Sequence, residues 1–328
     1  MVNLDRRFDV VALGELLIDF TESGVSEQGN LLLEANPGGA PCNVLSMLSR
    51  LGHKTAFIGK VGRDGFGLRL RETLKELGID GRGLLTDNRI HTTLAFVHKL
   101  PNGDRDFSFY RNPGADMMLT ADEVPEELIG NARIFHFGSL SMTHPWNREA
   151  TVKALRTAKK RNCLISFDPN LRAPLWDDLE EARRQIAFGI ACCDILKISD
   201  DELAWFTGKS GQDAGIAILQ EQYRVSLILL SKGPAGSSAY YQWKERIRAD
   251  AEPFLMKNTV ETTGAGDTFC ACALHYLLEH GIRDLSQANL EELLRFANAA
   301  AAIITTRKGA LRVMPAREEI ESLIGAAG

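Results

Sequence analysis

The chain has 328 residues, of which 45% are hydrophobic and 25% are charged, and its formal net charge is −5 at pH 7. This composition is typical of a globular enzyme, and the negative balance argues against a nucleic-acid-binding surface. The sequence contains neither a run of about 18 apolar residues nor an apolar signal-peptide core near its start. We therefore predict a cytoplasmic protein that has no membrane or nucleic-acid partner.

The cysteines and histidines show no metal-binding spacing. The six cysteines form no CxxC pair, and the seven histidines form no HxH or HxxxH pair. These spacings predict no zinc site. We expect the thiols to be buried as small apolar side chains; they are Cys42, Cys163, Cys192, Cys193, Cys270 and Cys272.

Apolar runs of strand length alternate with stretches of helical period along most of the chain. The run FDVVALG is followed by a helix in CNVLSMLSRLG, a strand in KTAFIGKVG and a helix in GFGLRLRETLKELG. The same alternation returns from ARIFHFGS through NCLISFDPN and DILKIS to VSLILLSKG. Strands that are apolar along their whole length are typical of a sheet covered by helices on both faces. We therefore predict an α/β fold with a doubly wound, mainly parallel sheet flanked by helices.

Segments 15–37 and 90–116 interrupt this alternation, because they contain strand-like runs and turns but no helical pattern. In the second segment, PNGD between two apolar runs is a hairpin signal. Phe107 and Phe109 alternate there with Ser108 and Tyr110, which predicts one buried face. We predict that the two segments form a small β-sheet lid that excludes water from a reacting centre.

The stretch TTGAGD has the features of an anion site beside a base. Gly264, Ala265 and Gly266 offer backbone N–H groups with little side-chain obstruction, and a helix starting near Asp267 directs its dipole to the same point. The same field favours the ionised carboxylate of Asp267, which makes it a proton acceptor. Together these features suit phosphoryl transfer to a hydroxyl group. A helix-capping aspartate after a glycine turn is the alternative.

A second glycine-rich stretch, NPGGAPCN, places Gly38, Gly39 and Asn43 at another helix start, where a backbone and a carboxamide can approach a polyol. GGAPCN with GRDGFG, together with ETTGAGDTF, resembles the paired signatures of the ribokinase-like (PfkB) carbohydrate kinases. The resemblance covers nearly the whole chain and implies one kinase domain, residues 1–328, with the two segments as its lid. Within the family, FYRNPGADMML, SFDPNLRAPLW and KISDDEL are most similar to the fructokinases.

The resemblance implies a role for each matching residue on the sugar side. Asp267 matches the catalytic base, and residues 264–266 match the anion hole. An arginine fork suits a phosphate or a polar sugar end, although a structural ion pair is the alternative for Arg172. The positions that match substrate contacts are Asp19, Gly38, Gly39, Asn43, Phe96, Arg111 and Arg172.

The resemblance also implies a nucleotide side and two cation positions. Glu202 matches an acid associated with magnesium, and Glu261, Thr263 and Gly309 lie where related kinases bind a monovalent cation. Glu261 replaces the usual Asp, which leaves activation by potassium open. The positions that match ATP contacts are Asn170, Ser199, Glu202, Ser231, Gly233, Gly236 and Asn298.

Taken together, these features predict an ATP- and Mg²⁺-dependent kinase that phosphorylates a primary hydroxyl of a monosaccharide, with fructose as the first choice. The kinase alternatives are 2-keto-3-deoxygluconate kinase and ribokinase. The alternative without catalysis is a sugar- or nucleotide-responsive binding protein on the same scaffold. Because a small exposed sheet tends to be covered, Phe107 and Phe109 further predict a homodimer through the lid.

Overall fold

The computed structural model describes residues 7–99, 105–243 and 245–327, which form two sheets and their surrounding helices. The strands are β1 (Phe8–Leu13), β2 (Leu17–Val25), β3 (Leu31–Gly38), β4 (Thr55–Gly62), β5 (Asp80–Asp87), β6 (Leu94–Lys99), β7 (Arg105–Tyr110), β8 (Ala132–Gly138), β9 (Leu164–Asp168), β10 (Ile195–Ser199), β11 (Leu227–Ser231), β12 (Ser237–Gln242) and β13 (Arg246–Ala251). The helices are α1 (Ala40–Arg50), α2 (Gly65–Glu76), α3 (Glu126–Gly130), α4 (Pro145–Lys160), α5 (Leu179–Cys192), α6 (Asp200–Thr207), α7 (Gln212–Gln222), α8 (Ala265–His280), α9 (Gln287–Ile304) and α10 (Arg317–Ala326).

The large sheet has nine strands in the order β13-β12-β11-β10-β9-β8-β1-β4-β5. Neighbouring strands from β11 to β5 are parallel, and β12 and β13 extend the sheet antiparallel at one edge. This arrangement confirms the predicted doubly wound, mainly parallel sheet. It also brings the carboxyl ends of β1, β8, β9 and β10 to one edge, where ligands bind in folds of this class.

Two apolar cores cover the faces of the large sheet, which explains why its strands are apolar throughout. One core contains Phe57 of β4 with Phe269 of α8 and Leu293 of α9. The other contains Phe137 and Phe167, whose rings stack at 4.6 Å, against the helices of the opposite layer. Five of the cysteines are buried in these layers and Cys192 is partly buried, as small apolar residues would be.

The small sheet has four strands in the order β3-β2-β6-β7. Strands β6 and β7 pair antiparallel from Leu94 with Tyr110 to Lys99 with Arg105, whereas the predicted PNGD turn between them lies outside the described residues. A small sheet beside the large one confirms that part of the predicted fold. The division into lid segments 15–37 and 90–116 stays a prediction, and the structure has β3 ending one residue later, at Gly38.

Within the described ranges, none of the helices combines the length and the apolar character that crossing a membrane requires.

Candidate active site

A cleft of about 890 Å³ separates the small sheet from the carboxyl edge of the large sheet. Its walls come from β2, β6 and β7 on one side and from the starts of α1 and α8 and the loop after β9 on the other. The sequence-predicted site residues that line it are Asp19, Gly39, Asn43, Asn170, Arg172, Glu261, Thr263, Gly264, Gly266, Asp267 and Gly309. The fold thus brings residues that are far apart in the sequence to one surface.

The glycine loop before α8 has the backbone conformation that its sequence requires. Gly264 caps the helix with φ 79°, a left-handed value that favours glycine. Asp267 is the third residue of the helix, so its carboxylate lies within the first turn. The N–H of Ala265 donates to the carbonyl of Thr262 at 3.2 Å. Gly264 and Gly266 line the cleft, whereas Ala265 does not and its N–H is occupied by this bond.

Asp267 is buried, with 8% of its surface exposed, and its Oδ2 accepts a hydrogen bond of 2.7 Å from Nδ2 of Asn43. Burial raises the pKa of the Asp267 carboxyl, while the Asn43 bond and the charges of Lys197 and Arg172 lower it and Glu202 raises it. The net direction is upward, which differs from the expectation that the helix start alone would favour ionisation. Loss of hydration outweighs the local field, and the result is a stronger proton acceptor.

Asn43 reaches Asp267 because of a tight backbone approach at the start of α1. Gly39 has φ 127°, and a Cβ atom there would lie 2.4 Å from the carbonyl oxygen of Glu15. Only glycine fits this turn, which begins the helix three residues before Asn43 reaches the cleft. Among the described residues, Oδ1 of Asn43 has no hydrogen-bond partner. The carboxamide thus binds the carboxylate of Asp267 with one end and leaves an acceptor at the other.

Asp19 faces the same cleft from β2. Desolvation raises the pKa of Asp19 to about 7; Arg172 lowers it, whereas Glu261 and Asp267 raise it. A Cβ atom on Gly38 would lie 2.0 Å from Oδ2 of Asp19. Gly38 does not line the cleft, and its role in the structure is to leave room for the Asp19 carboxylate.

The two predicted substrate arginines lie in different surroundings. Arg172 lines the cleft and donates from Nη1 to the carbonyl of Leu171 at 3.3 Å. Within the described residues it forms no ion pair, so the structural alternative weighed for it is not observed. Arg111 is buried and does not line the cleft, which contradicts its predicted contact with substrate.

The guanidinium of Arg111 is occupied by protein groups. Its Nε donates to Asp116 at 2.8 Å, its Nη1 to the Thr143 hydroxyl at 2.9 Å, and its Nη2 to the Leu140 carbonyl at 3.1 Å. An ion pair of 2.7 Å with Asp116 completes the set. These bonds fix the end of β7 to the loop after β8, so Arg111 connects the small sheet with the body of the protein.

The register of the small sheet places Phe96 on the side away from the cleft. Its ring stacks on Phe20 at 4.9 Å and packs edge-on against Tyr110 at 5.1 Å. Because side chains alternate along a strand, its neighbour Val97 and the β7 residue Phe109 face the cleft instead. Phe96, which was predicted to contact substrate, therefore does not line the cleft.

Glu202 and Ser199 hold the backbone at the nucleotide side. Ser199 caps α6, and the Glu202 carboxylate accepts from the N–H of Ser199 at 2.9 Å and from that of Leu171 at 2.7 Å. Neither lines the cleft, whereas Asp201 does. Ser199 thus acts as a helix cap in this structure, and Glu202 fixes the loop that carries Asn170 and Arg172.

A second group of predicted ATP residues gathers outside the cleft, around the turn after β13. Nδ2 of Asn298 donates to the carbonyls of Ala251 and Glu252 at 3.3 and 3.0 Å. A Cβ atom on Gly236 would lie 2.2 Å from the same Ala251 oxygen. Ser231 and Gly233 belong to the strand end and turn just before Gly236. The structure brings these residues together but does not join them to the cleft.

The predicted monovalent-cation residues also converge. The N–H of Gly309 donates to Oε2 of Glu261 at 3.3 Å, and Glu261 is buried. Thr263 lies on the same wall of the cleft. Carboxylate, hydroxyl and carbonyl oxygens are suitable ligands for such a cation, and the role of these residues stays a prediction.

Sequence reasoning missed Lys197 and Asp168. Both are buried in adjacent strands, Lys197 in the middle of β10 and Asp168 at the end of β9, with Nζ 3.1 Å from Oδ2, and Lys197 lines the cleft. The signal was present, because a lysine inside the apolar run DILKIS is unexpected in a strand buried on both faces.

Comparisons with known proteins agree with this geometry. Residues 7–317 match the family described as pfkB family carbohydrate kinase. The chain belongs to this family. Among pfkB relatives, it is 41% identical to probable fructokinase-4 of Arabidopsis thaliana over 317 residues, which are 96% of each chain. It is 41% identical to fructokinase-2 of Solanum lycopersicum over 318 residues, 96% of this chain and 95% of the relative.

Solved structures of fructokinases have the same fold. A fructokinase with bound ATP from Xylella fastidiosa superposes with a TM-score of 0.87 at 28% identity and covers 97% of this chain and 98% of its own. A fructokinase from Vibrio cholerae O395 with bound fructose, ADP and calcium ion gives 0.85 at 27% identity, with 97% and 99% covered.

Proposed function

We propose that this pfkB family member is an ATP-dependent fructokinase that transfers the γ-phosphoryl group to a primary hydroxyl of fructose. The observation that carries the proposal is Asp267, held by Asn43 in the first turn of α8 beside Gly264 and Gly266, at the base of the cleft. Relatives at 41% identity over almost the full length are named fructokinases. A fructokinase of the same fold binds fructose and ADP.

In this proposal, each side chain of the cleft has one task. Asp267 takes the proton of the sugar hydroxyl, whose oxygen then forms a bond to the γ-phosphorus as the bond to the ADP oxygen breaks. Asp19 and the free Oδ1 of Asn43 accept hydrogen bonds from sugar hydroxyls. Arg172 contributes positive charge at the same end of the cleft.

The donor set on the nucleotide side fits magnesium. Asp201 lines the cleft there, and both oxygens of Glu202 already accept backbone N–H groups. Glu202 would therefore act on the ion through water, which agrees with the indirect role inferred for it. Magnesium would neutralise charge on the phosphate oxygens of the nucleotide.

The activity test measures ADP release with ATP and Mg²⁺ over fructose, 2-keto-3-deoxygluconate, ribose and no sugar. Asp267→Asn is assayed in parallel, and its unfolding temperature is compared with that of the wild type. We expect turnover of fructose and a decrease in kcat of about 10²–10⁴-fold in the variant. Turnover of another sugar would contradict the substrate, and ATP binding without turnover of any sugar would favour a binding protein.

We also propose that the small sheet closes over the cleft as a lid and that two copies of the chain associate through it. The association is supported by apolar side chains exposed on β2 and β3, among them Val25 at 65% and Leu31 at 57%. Phe109, on which the dimer prediction partly depended, lines the cleft, and the side chain of Phe107 lies outside the described residues. A cytoplasmic location is the remaining part of the proposal, and cell fractionation would test it.

A further inference from the structure

Lys197 lies beneath the first turn of α8, directly behind the glycine loop. A Cβ atom built on Gly266 would lie 3.0 Å from its Nζ. The ammonium is 3.1 Å from Oδ2 and 3.4 Å from Oδ1 of Asp168, at the end of β9. Lys197 and Gly266 both line the cleft. The fold therefore places a full positive charge beside the backbone donors of the loop.

Another buried lysine shows what distinguishes this one. Lys60 and Lys197 are each 6% exposed. The ammonium of Lys60 donates to the Met118 carbonyl at 2.9 Å and to the two carboxylate oxygens of Glu123 at 2.7 and 2.8 Å. Within the described residues, the ammonium of Lys197 is bound by Asp168 alone. Hydrogens of its ammonium thus remain for an acceptor in the cleft.

The charge of Lys197 lies at the positive end of the α8 dipole, where a cation is unfavourable by itself. Burial lowers the pKa of Lys197, but the negative charges of Asp168, Glu202 and Asp267 raise it by more, so the ammonium stays charged. A buried ion pair is seldom more stable than the apolar pair that could replace it. Stability of the fold therefore explains poorly why a lysine is buried at this position. Binding of an anion in the cleft explains it well.

We propose that Lys197 contacts an oxygen of the phosphoryl group during its transfer, and that Asp168 is the positioning residue that holds the ammonium behind Gly266. This inference rests on the proposed kinase function and adds a residue to its site. The bonds made and broken are unchanged, and the hydroxyl proton still passes to Asp267. The ammonium neutralises charge that develops on the phosphoryl oxygens, where a fixed donor is most effective.

The same charge has a second consequence at Asp267. Lys197 and Arg172 lower the pKa of Asp267, whereas Glu202 raises it, and Asp168 and Asp19 are further carboxylates that interact with it. Removal of Lys197 therefore raises the pH at which the base becomes ionised. A buried lysine whose charge does not act on Asp267, such as Lys60, would not move that pH.

The test compares Lys197→Met with Lys60→Met, a matched loss of a buried, paired lysine away from the cleft. We expect Lys197→Met to lower kcat by about 10²-fold or more and to leave the KM for fructose within about threefold. The acidic limb of its kcat/KM profile should move to higher pH, because the charge that lowers the pKa of Asp267 is lost. Lys60→Met should retain the wild-type kcat and the wild-type pH profile. Lys197→Arg should recover part of the kcat that Lys197→Met loses.

Lys197→Met alone leaves the buried charge of Asp168 without a partner and could prevent folding. The double variant Lys197→Met with Asp168→Asn removes both charges and avoids this problem. This double variant should fold and keep the low kcat. Wild-type kcat in either variant, a change in KM alone, or an equal loss in Lys60→Met would overturn the inference. Wild-type turnover of another sugar would contradict only the proposed substrate, and the same variants would then be compared with that sugar.

Discussion

At the scale of single residues, the cleft is built from carboxylates whose chemistry depends on loss of water. Asp267, Asp19 and Asp168 come from three separate elements and carry the same charge. Burial raises the pKa of Asp267, to which the charge of Glu202 adds, and burial with the charges of Glu261 and Asp267 brings the pKa of Asp19 to about 7. Lys197 and Arg172 oppose this effect. The balance suits a site that binds hydroxyl groups on one side and phosphate on the other.

The pKa of Asp19 predicts that sugar binding depends on pH. Its carboxylate is ionised above about pH 7 and accepts hydroxyl hydrogen bonds fully only in that form. We expect the KM for fructose to rise by about tenfold between pH 8 and pH 6, measured from initial rates at saturating ATP. Asp19→Asn should have a higher KM that hardly changes over this range. A wild-type KM that is flat with pH would contradict the assignment.

At the scale of elements, the turn before α8 decides where the anion donors point. Gly264→Ala places an alanine at φ 79° with its Cβ 2.9 Å from that of Ala310. We expect a loss of about 1–2 kcal/mol in the free energy of unfolding and a decrease in kcat of at least about tenfold.

Gly208→Ala is the matched control for that substitution. Gly208 ends α6 in the same left-handed conformation, at φ 67°, and nothing lies within 4 Å of a Cβ atom built there. It should lose similar stability in chemical denaturation and keep kcat. If both variants kept kcat, the loop would not act as an anion hole.

The alternation of side chains in the small sheet predicts different effects for two neighbouring phenylalanines. Phe109→Ala removes a cleft wall and should raise the KM for fructose about 3- to 10-fold. Phe96→Ala removes a ring stacked on Phe20 and should cost about 1–3 kcal/mol of stability with little change in KM. Steady-state kinetics and urea unfolding of both variants check this. The reverse pattern would show that the cleft faces the other side of the sheet.

At the scale of the whole molecule, the exposed apolar strip on β2 and β3 predicts self-association. Leu31→Lys should convert a dimer into a monomer at micromolar concentration, because burial of a charge opposes the interface. Leu179→Lys is the control, since Leu179 is 43% exposed at the start of α5, which packs against β9 of the large sheet. Light scattering measures the mass, and a monomeric wild type would contradict the prediction.

The fold was predictable because its determinants are local. The strands of the large sheet are apolar on both faces, so their sequence shows that helices cover them, and the short parallel connections follow. The glycine turn before Asp267 was equally visible, since only glycine accepts the backbone angles found at Gly264.

Other parts of the site depended on contacts that no local pattern reports. Arg111 was expected to contact the substrate. Its guanidinium instead binds Asp116 and Thr143, because β7 packs against the loop after β8. Phe96 was expected in the cleft, but strand register turns it away. The position of each side chain depends on which neighbours can bind it or pack against it. Those neighbours come from distant segments of the sequence, so they are known only from the folded structure.

The sequence by itself thus determined the class of fold, the family signatures and the acid at the turn-to-helix junction, because each depends on residues that are neighbours in the sequence. The tertiary structure alone decided that Lys197 lies under Gly266 with Asp168, that Asn43 binds Asp267, and that burial raises the pKa of the base. These features join residues up to 224 positions apart. Their energies depend on distance and on the exclusion of water, and both exist only in the folded chain.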